Sequence, residues 1–550
     1  MTVPAGDELL FLALGGAGEI GMNLNLYGHA GKWLMVDLGI AFGDDSMPGV
    51  EVIMPDPAFI VERRERLAGI VLTHAHEDHL GAVADLWPRL QAPVYATPFA
   101  ASVLRRKLAE AGLMDAVPIT EIPLRARFRI GPFDLELITM THSILEPNAL
   151  AIRTGLGTVF HTGDWKIDPE PLLGDVTDEE TLRRIGEEGA LAMVCDSTNV
   201  FVEGEAGSEA SVRLNLEKLV ASRRGRVAVT CFASNLARVE SIAKAAVAAR
   251  RHPVLSGRAL QRMVDAAQEC GYLLDFPACV DERSAGYLPR DKVLFICTGS
   301  QGEPRASMAK LAGDDHRDLV LEEGDTAIFS ARIIPGNERA VGRLHNALLA
   351  RGVEVITDRE ADIHVSGHPA RDELVRVYQW IRPRIAVPVH GEVRHMVEHA
   401  ALARACQVPE TVVAPNGSLV RLAPGPAEIV DHVPVGRLAR DGDTLVALDG
   451  ESLRERRKLL WNGSAAATLV LDRQGRAAAE PVVSLRGIDD ADGELVPGIV
   501  AGLKEMLADL SQGERGDDQR IREAAGRAVR RVVRAHVGKK PLTDVHIVRI

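Results

Sequence analysis

Between Val71 and Gly81 the chain reads VLTHAHEDHLG, which places His74, His76, Asp78 and His79 within six residues. The apolar run from Ile70 to Leu72 leads into the cluster and a helix-like segment starts near Leu80, so the cluster is expected on the loop that closes a buried strand. In extended chain, residues two apart share a face, so His74 and His76 point the same way, while the adjacent Asp78 and His79 diverge. That pattern suits two ions with separate ligand groups. Neutral imidazole combined with carboxylate oxygen suits zinc, with manganese as the competitor. The plainer reading is a surface loop rich in histidine. With 17 histidines in 550 residues, three of them in six positions beside an aspartate favours the metal site.

One loop cannot complete two coordination shells, and three later residues stand in the right setting. His142 follows FDLELITMT, Asp164 closes TVFHTGDW and His390 closes IAVPVHGE, each just after a run of apolar or β-branched residues. All three are expected at strand ends along one edge of a sheet. The resulting assignment gives one ion to His74, His76 and His142, the other to Asp78, His79 and His390. Asp164 is shared, because a carboxylate has two oxygens to divide between ions. Each residue alone reads more simply as a turn residue or a satisfied core histidine; their conjunction with HxHxDH reverses that weighting.

HxHxDH followed by a lone His, a lone Asp and a late His resembles the metallo-β-lactamase superfamily, whose fold is a four-layer αββα sandwich with two metals at one edge. Three further stretches narrow the resemblance: CDSTN from Cys195 to Asn199, CFASN from Cys231 to Asn235, and HVSGHP from His364 to Pro369 ahead of PVHGE. These resemble the motifs of the β-CASP nucleases, and their combination with a C-terminal extension resembles the bacterial ribonuclease J family. The resemblance covers nearly the whole chain to about residue 450 and is weaker in the tail.

A chain of this length predicts roughly two to four domains. No run of about 18 or more apolar residues is present, and the N-terminus lacks a basic segment before its short apolar run, so neither a membrane span nor a signal peptide is expected and the compartment reads as cytoplasmic. The six cysteines show no CxxC pairing and read as buried reduced thiols, apart from the metal site. The net charge of −13 runs against a nucleic-acid enzyme, since phosphate contacts call for Lys and Arg. Bound divalent ions and an uneven charge distribution offset it. From Arg515 to Lys540 there are seven Arg and two Lys against four acids, counting Glu514, a run that more often means a solvated helix face.

Along the chain, Gly16, Gly18 and Gly21 match GxGxxG, but a strand-like MNLNLYGHAGKWLMVDLG follows where a dinucleotide site needs a helix, so that reading is rejected. These glycines fit close backbone approach to the metal edge. Asp37, at a strand end, either orients a ligand histidine or is a plain turn residue. From Ser208 to Asp358 strands and helices alternate regularly, which predicts a doubly wound, mostly parallel sheet. His390 lies beyond it, so this domain is inserted into the first. The expected fold class is α/β: an αββα metallo-β-lactamase sandwich over residues 1–207 and 359–450, an inserted doubly wound β-CASP domain over 208–358, a linker at 451–465 and a small α+β domain over 466–550.

The inserted domain favours a nuclease over a small-molecule metallohydrolase, because a polymeric strand needs a second wall to form a channel. A non-catalytic RNA-binding scaffold would be signalled by missing ligands, and none of the seven is missing. The resemblance implies hydrolysis of RNA phosphodiesters in RNA maturation and decay, 5′ to 3′ from a monophosphorylated end with some internal cleavage, on two zinc ions with manganese as the alternative. It implies proton transfer by His368 and Asp196, and substrate binding by Ala233, Ser234, Asn235, His364, Val365, Ser366, Gly367 and His368. Ser300 and Gln301 offer further phosphate donors or a plain turn. Single-stranded RNA is the implied partner, and self-association through the C-terminal region implies a homodimer or homotetramer. RNA and DNA differ here by 2′-hydroxyl contacts, which leave no mark in the sequence.

Overall fold

The computed structural model describes residues 7–44 and 46–550. The chain divides into two units, residues 1–41 with 54–436, and residues 42–53 with 437–550.

The first unit is built on two packed sheets. One has eight strands in the order Glu428–His432, Ser418–Ala423, Leu9–Gly15, Leu24–His29, Lys32–Val36, Leu67–Val71, Val94–Ala96 and Ile119–Glu121. The other has seven, in the order Arg127–Ile130, Phe133–Thr139, Asn148–Thr154, Gly157–His161, Ala190–Asp196, Ile385–Val389 and Glu410–Thr411. Successive side chains on a strand face opposite sides, and both faces of the second sheet are covered. Leu135, Leu137, Leu150, Ile152, Val159 and Val194 meet Phe11, Tyr27, Leu34, Val36 and Val71 of the first sheet. The alternate residues Ile138, Ala149, Ala151, Phe160 and Met193 pack outward on Leu182 and Ile185 of the helix Glu179–Glu188 and on Leu374, Val377 and Tyr378 of the helix Arg371–Ile381. Strands buried on both faces are largely apolar, although Phe133–Thr139 also carries the exposed Asp134 and the buried Glu136, which is ion-paired to Arg153.

Strand direction sets the site. Gly157–His161, Ala190–Asp196 and Ile385–Val389 run parallel. Their C-terminal ends therefore deliver Asp164, Asp196 and His390 to one edge. Lys32–Val36 and Leu67–Val71 are likewise parallel and deliver Asp37 and the histidine loop.

The stretch between Asp196 and Ile385 contains a wholly parallel five-stranded sheet in the order His252–Ser256, Val293–Cys297, Val227–Thr230, Thr326–Phe329 and Glu354–Ile356. Its core joins Ala228, Val254, Phe295 and Ala327 to Met308, Leu311, Val341, Leu344 and Leu348 of the flanking helices.

In the second unit, Ser464–Leu471 is the centre of a three-stranded sheet between Val482–Arg486 and Leu542–Arg549. Its alternately buried residues Ala465, Ala467, Leu469 and Leu471 pack on the helices Leu495–Asp509 and Asp518–Val537. Residues 437–450, read from sequence as the end of the first domain, fall in this unit because Arg437–Asp441 pairs with Thr444–Ala447 and shares a sheet with the strand that begins at Val52. Glu451–Asn462 is a helix. All six cysteines are free, but only Cys195, Cys231 and Cys297 are buried; Cys270 and Cys406 are half-buried and Cys279 is exposed. No helix among the described residues is long and apolar enough to cross a membrane.

Candidate metal centre

The strand Leu67–Val71 ends in the loop that carries His74 and His76, and the short helix Glu77–Leu80 carries Asp78 and His79. Gly39 packs directly beneath this helix: a Cβ there would lie 1.7 Å from the carbonyl oxygen of Asp78. Ligand atoms of His74, His76, His142 and Asp164 lie within 4.8 Å of one another, as do those of Asp78, His79, Asp164 and His390. A third grouping draws Asp196 and His368 toward Asp164 and His390.

The hydrogen bonds around the imidazoles fix which nitrogens keep lone pairs. His142 Nδ1 is 2.5 Å from the carbonyl of Gly367, which can only accept, so Nδ1 carries the proton and Nε2 a lone pair. A Cβ on Gly367 would meet Ser143 Oγ at 2.6 Å and His142 Cε1 at 2.8 Å, so only glycine lets that carbonyl come so close. Thr73 Oγ1 donates to Asp37 Oδ2 at 2.9 Å, so it accepts from His74 Nδ1 at 3.0 Å, and His74 Nε2 is also left with a lone pair. Both Nε2 atoms lie 3.1 Å from His76 Nδ1. One proton on His76 satisfies only one of them. Three ring nitrogens converging this closely are the arrangement of ligands around a cation, and the donor set fits a divalent metal.

The second group is oriented in the same manner. His79 Nδ1 donates to Asp37 Oδ2 at 2.7 Å, turning Nε2 toward Asp164 Oδ2 at 3.1 Å and Asp78 Oδ2 at 3.6 Å. Asn23 Nδ2 donates to the Asp78 carbonyl at 3.1 Å, which leaves Asn23 Oδ1 to accept from His390 Nδ1 at 2.9 Å. His390 Nε2 then faces Asp164 Oδ2 at 3.5 Å and Asp78 Oδ2 at 3.7 Å. Gly16 abuts this bridge, since a Cβ there would meet Asn23 Oδ1 at 2.2 Å. Partners that fix a ligand's tautomer and direction in this way are general at metal sites.

Electrostatics separate the two groups. Burial lowers His74 and His142 well below the ordinary imidazole range, reinforced by neighbouring histidines, and lowers His76 to about 4 despite Asp78 and Asp164. For His79, burial acts in the same direction but is outweighed by Asp164, Asp78 and Asp37, and its pKa is raised. Burial would raise Asp164, but His390 and His79 hold it well below the usual carboxylate range.

At the far side of the centre His368 Nδ1 lies 2.8 Å from Asp196 Oδ2. Burial opposes its charge, yet Asp196, Asp164 and Asp78 raise it to about 9. Asn199 Nδ2 donates to Ser366 Oγ at 2.7 Å and to the His368 carbonyl at 3.1 Å, and His368 N donates to the same Oγ at 3.2 Å. Ser366 thus accepts twice and keeps its own proton to donate. Ser234 Oγ is 3.1 Å from His76 Nε2. Ala233 is half-buried in the turn beside it.

Other residues expected to bind substrate have their side chains engaged elsewhere. Asn235 caps the helix Leu236–Ala248 by accepting from Arg238 N at 3.0 Å, and donates to Glu209 Oε1 at 3.1 Å. His364 lies 3.5 Å from Arg238 Nη1 and is lowered by burial to about 3, and Val365 lies against Gly207. Gln301 donates to the carbonyl of Arg332 and accepts from Ile334 N, so it ties two loops together. Asn23 was not legible beforehand: in GEIGMNLN nothing distinguishes it from a turn asparagine.

Family models match four stretches of the chain: a beta-lactamase superfamily domain at residues 45–182, the ribonuclease J beta-CASP domain at 224–348, a Zn-dependent metallo-hydrolase RNA specificity domain at 352–415, and the ribonuclease J C-terminal domain at 451–550. A ribonuclease J of Sinorhizobium meliloti is 46% identical over 99% of this chain and 98% of its own length. That of Mycolicibacterium smegmatis is 38% identical over 98% and 97%, and that of Thermus thermophilus 34% identical over 98% and 94%. A solved protein of unknown function from Enterococcus faecalis V583 shares the fold, with a TM-score of 0.52 at 15% identity over 75% of this chain and 100% of its own. With full-length identity of this order, and a site of histidines and aspartates fit for divalent metal, the chain belongs to the ribonuclease J family of metal-dependent ribonucleases.

Proposed function

We propose that the chain hydrolyses single-stranded RNA on two zinc ions, with manganese as the alternative, working 5′ to 3′ from a monophosphorylated end and with some internal cleavage, in the cytoplasm and as a homodimer or homotetramer. His74, His76 and His142 hold one ion, Asp78, His79 and His390 the other, and Asp164 is shared. When bound, such ions lower the pKa of water and neutralise charge that develops on the phosphoryl oxygens.

The remaining chemistry belongs to the chain's own side chains. His368, which holds its proton at neutral pH, gives it to the 3′ oxygen that leaves the phosphorus. Asp196 orients that imidazole and offsets its charge. Ser366, with its proton free, and Ser234, from the inserted domain, donate to phosphate oxygens. The observation that carries this reading is the pairing of His368 with Asp196 on the loop that also presents Ser366, immediately beside the shared Asp164.

The test is a time course on RNA labelled at a monophosphorylated 5′ end. Labelled mononucleotide as the first product supports the exonuclease reading, and longer labelled fragments with no mononucleotide refute it.

A further inference from the structure

Among the fully buried carboxylates of the first unit that the chemistry above does not use, Glu373 ties together segments of the candidate site. Glu373 stands in the first turn of the helix Arg371–Ile381 and is 0% exposed. One of its oxygens accepts from Ala370 N at 2.7 Å, an ordinary way for a glutamate at this position to close the start of a helix. The same oxygen also accepts from Ala206 N at 2.9 Å, and the other accepts from Ile167 N at 2.7 Å. Neither of these amides belongs to the helix, and capping requires neither.

The three amides lie on three separate crossings of the chain. Ile167 is three residues beyond Asp164, on a segment already pinned beside His142: Lys166 N donates to the Thr141 carbonyl at 2.7 Å, and Thr141 Oγ1 donates to the Lys166 carbonyl at 2.7 Å. Ala206 lies on the stretch that leads from Asp196 and Asn199 into the inserted domain. Ala370 is two residues beyond His368, on the stretch that returns from it. Further backbone bonds couple these last two stretches, from Arg371 N to the Val202 carbonyl and from Asp372 N to the Gly204 carbonyl.

We propose that Glu373 is a positioning residue that holds the His368 loop in register with the segment carrying Asp164. A buried carboxylate is tolerated only where donors surround it, and here the donors are the segments whose spacing the reaction depends on. The inference rests on the assignment of proton transfer to His368 and Asp196. Displacement of a reacting group by about 1 Å costs on the order of a hundredfold in rate.

Glu373→Gln isolates this role. Glutamine serves equally well at this position of a helix start, but its amide nitrogen cannot accept, so Ile167 or the Ala206 and Ala370 pair loses its acceptor. On RNA with metal-replete protein, the proposal expects kcat to fall about tenfold to a hundredfold, with KM for RNA and metal content per chain unchanged. Glu373→Asp, too short to reach all three amides, is expected to lose kcat in the same sense. If either folded variant keeps the parent kcat, or if only thermal stability falls, Glu373 is a helix cap and the proposal is overturned. The unaltered protein gives a readout that requires no variant to fold: amide exchange at Ile167, Ala206 and Ala370 is expected to be slow and concerted, and loop-like exchange at any one of them overturns the proposal. His368→Ala separates the two claims. Full activity in that variant refutes the proton-transfer assignment; lost activity there together with full activity in Glu373→Gln refutes the positioning role alone.

Discussion

Asp37 Oδ2 lies 2.7 Å from His79 Nδ1, and the other oxygen of the same carboxylate accepts from Thr73 N at 2.8 Å. One buried side chain therefore sets the direction of His79 and, through the Thr73 hydroxyl, of His74, which stand in different candidate ligand groups. Asp37→Asn keeps the shape, but its amide nitrogen cannot accept, so either Thr73 N, or His79 Nδ1 together with the Thr73 hydroxyl, loses its acceptor. Metal affinity is expected to fall about tenfold to a hundredfold with the fold intact. Competition against a chelator measures this, and unchanged affinity would remove Asp37 from the account.

The two groups differ in protonation before metal binds. At pH 7 His74, His76 and His142 are neutral, whereas His79 is charged. Filling the Asp78, His79 and His390 group must expel the His79 proton, and filling the His74, His76 and His142 group need expel none. Since protons compete for His79 below its raised pKa, lowering the pH weakens the former by up to about tenfold per pH unit. The latter is expected to stay level until pH approaches about 4. Calorimetry in buffers of different ionisation enthalpy compares the protons released: more for the group that contains His79 than for the group of His74, His76 and His142. Equal release from both sites contradicts the assignment.

Gly39→Ala tests how the loop is supported. The added Cβ would stand 1.7 Å from the Asp78 carbonyl oxygen, 1.9 Å from its carbonyl carbon and 2.6 Å from His79 N, all backbone atoms. The helix Glu77–Leu80 must move, and with it Asp78 and His79. Loss of metal and of ribonuclease activity is expected, measured by metal analysis and RNA cleavage. Gly155→Ala is the control for handling, since nothing lies within 4 Å of its Cβ position and its φ is not left-handed.

Much of this arrangement was legible in the sequence because it is local or periodic. HxHxDH sits within six residues, the strands preceding His142, Asp164 and His390 are rich in apolar or β-branched residues, and the βα alternation of the inserted domain repeats regularly. What escaped depends on contacts far apart in the chain. Asn23 bridges His390 and the Asp78 carbonyl across 367 and 55 residues. Asn199 reaches Ser366 across 167, and Glu373 reaches Ile167 across 206. A polar residue whose partner is set only by the closed fold carries no periodic signal. Asn235 illustrates the converse: its motif suggested substrate, while its amide is occupied by a helix start and by Glu209, a role any asparagine before a helix can take.

The central claim is that these ligands hold the metal for cleavage from a monophosphorylated 5′ end. The direct measurement compares RNAs that differ only in carrying a 5′ monophosphate or triphosphate, using metal-replete protein, a His76→Ala control and single-stranded DNA of the same sequence. The account predicts mononucleotides released from the monophosphorylated RNA, little release from the triphosphorylated RNA and none in His76→Ala. Equal cleavage of both RNAs, or cleavage that survives in His76→Ala, would contradict it.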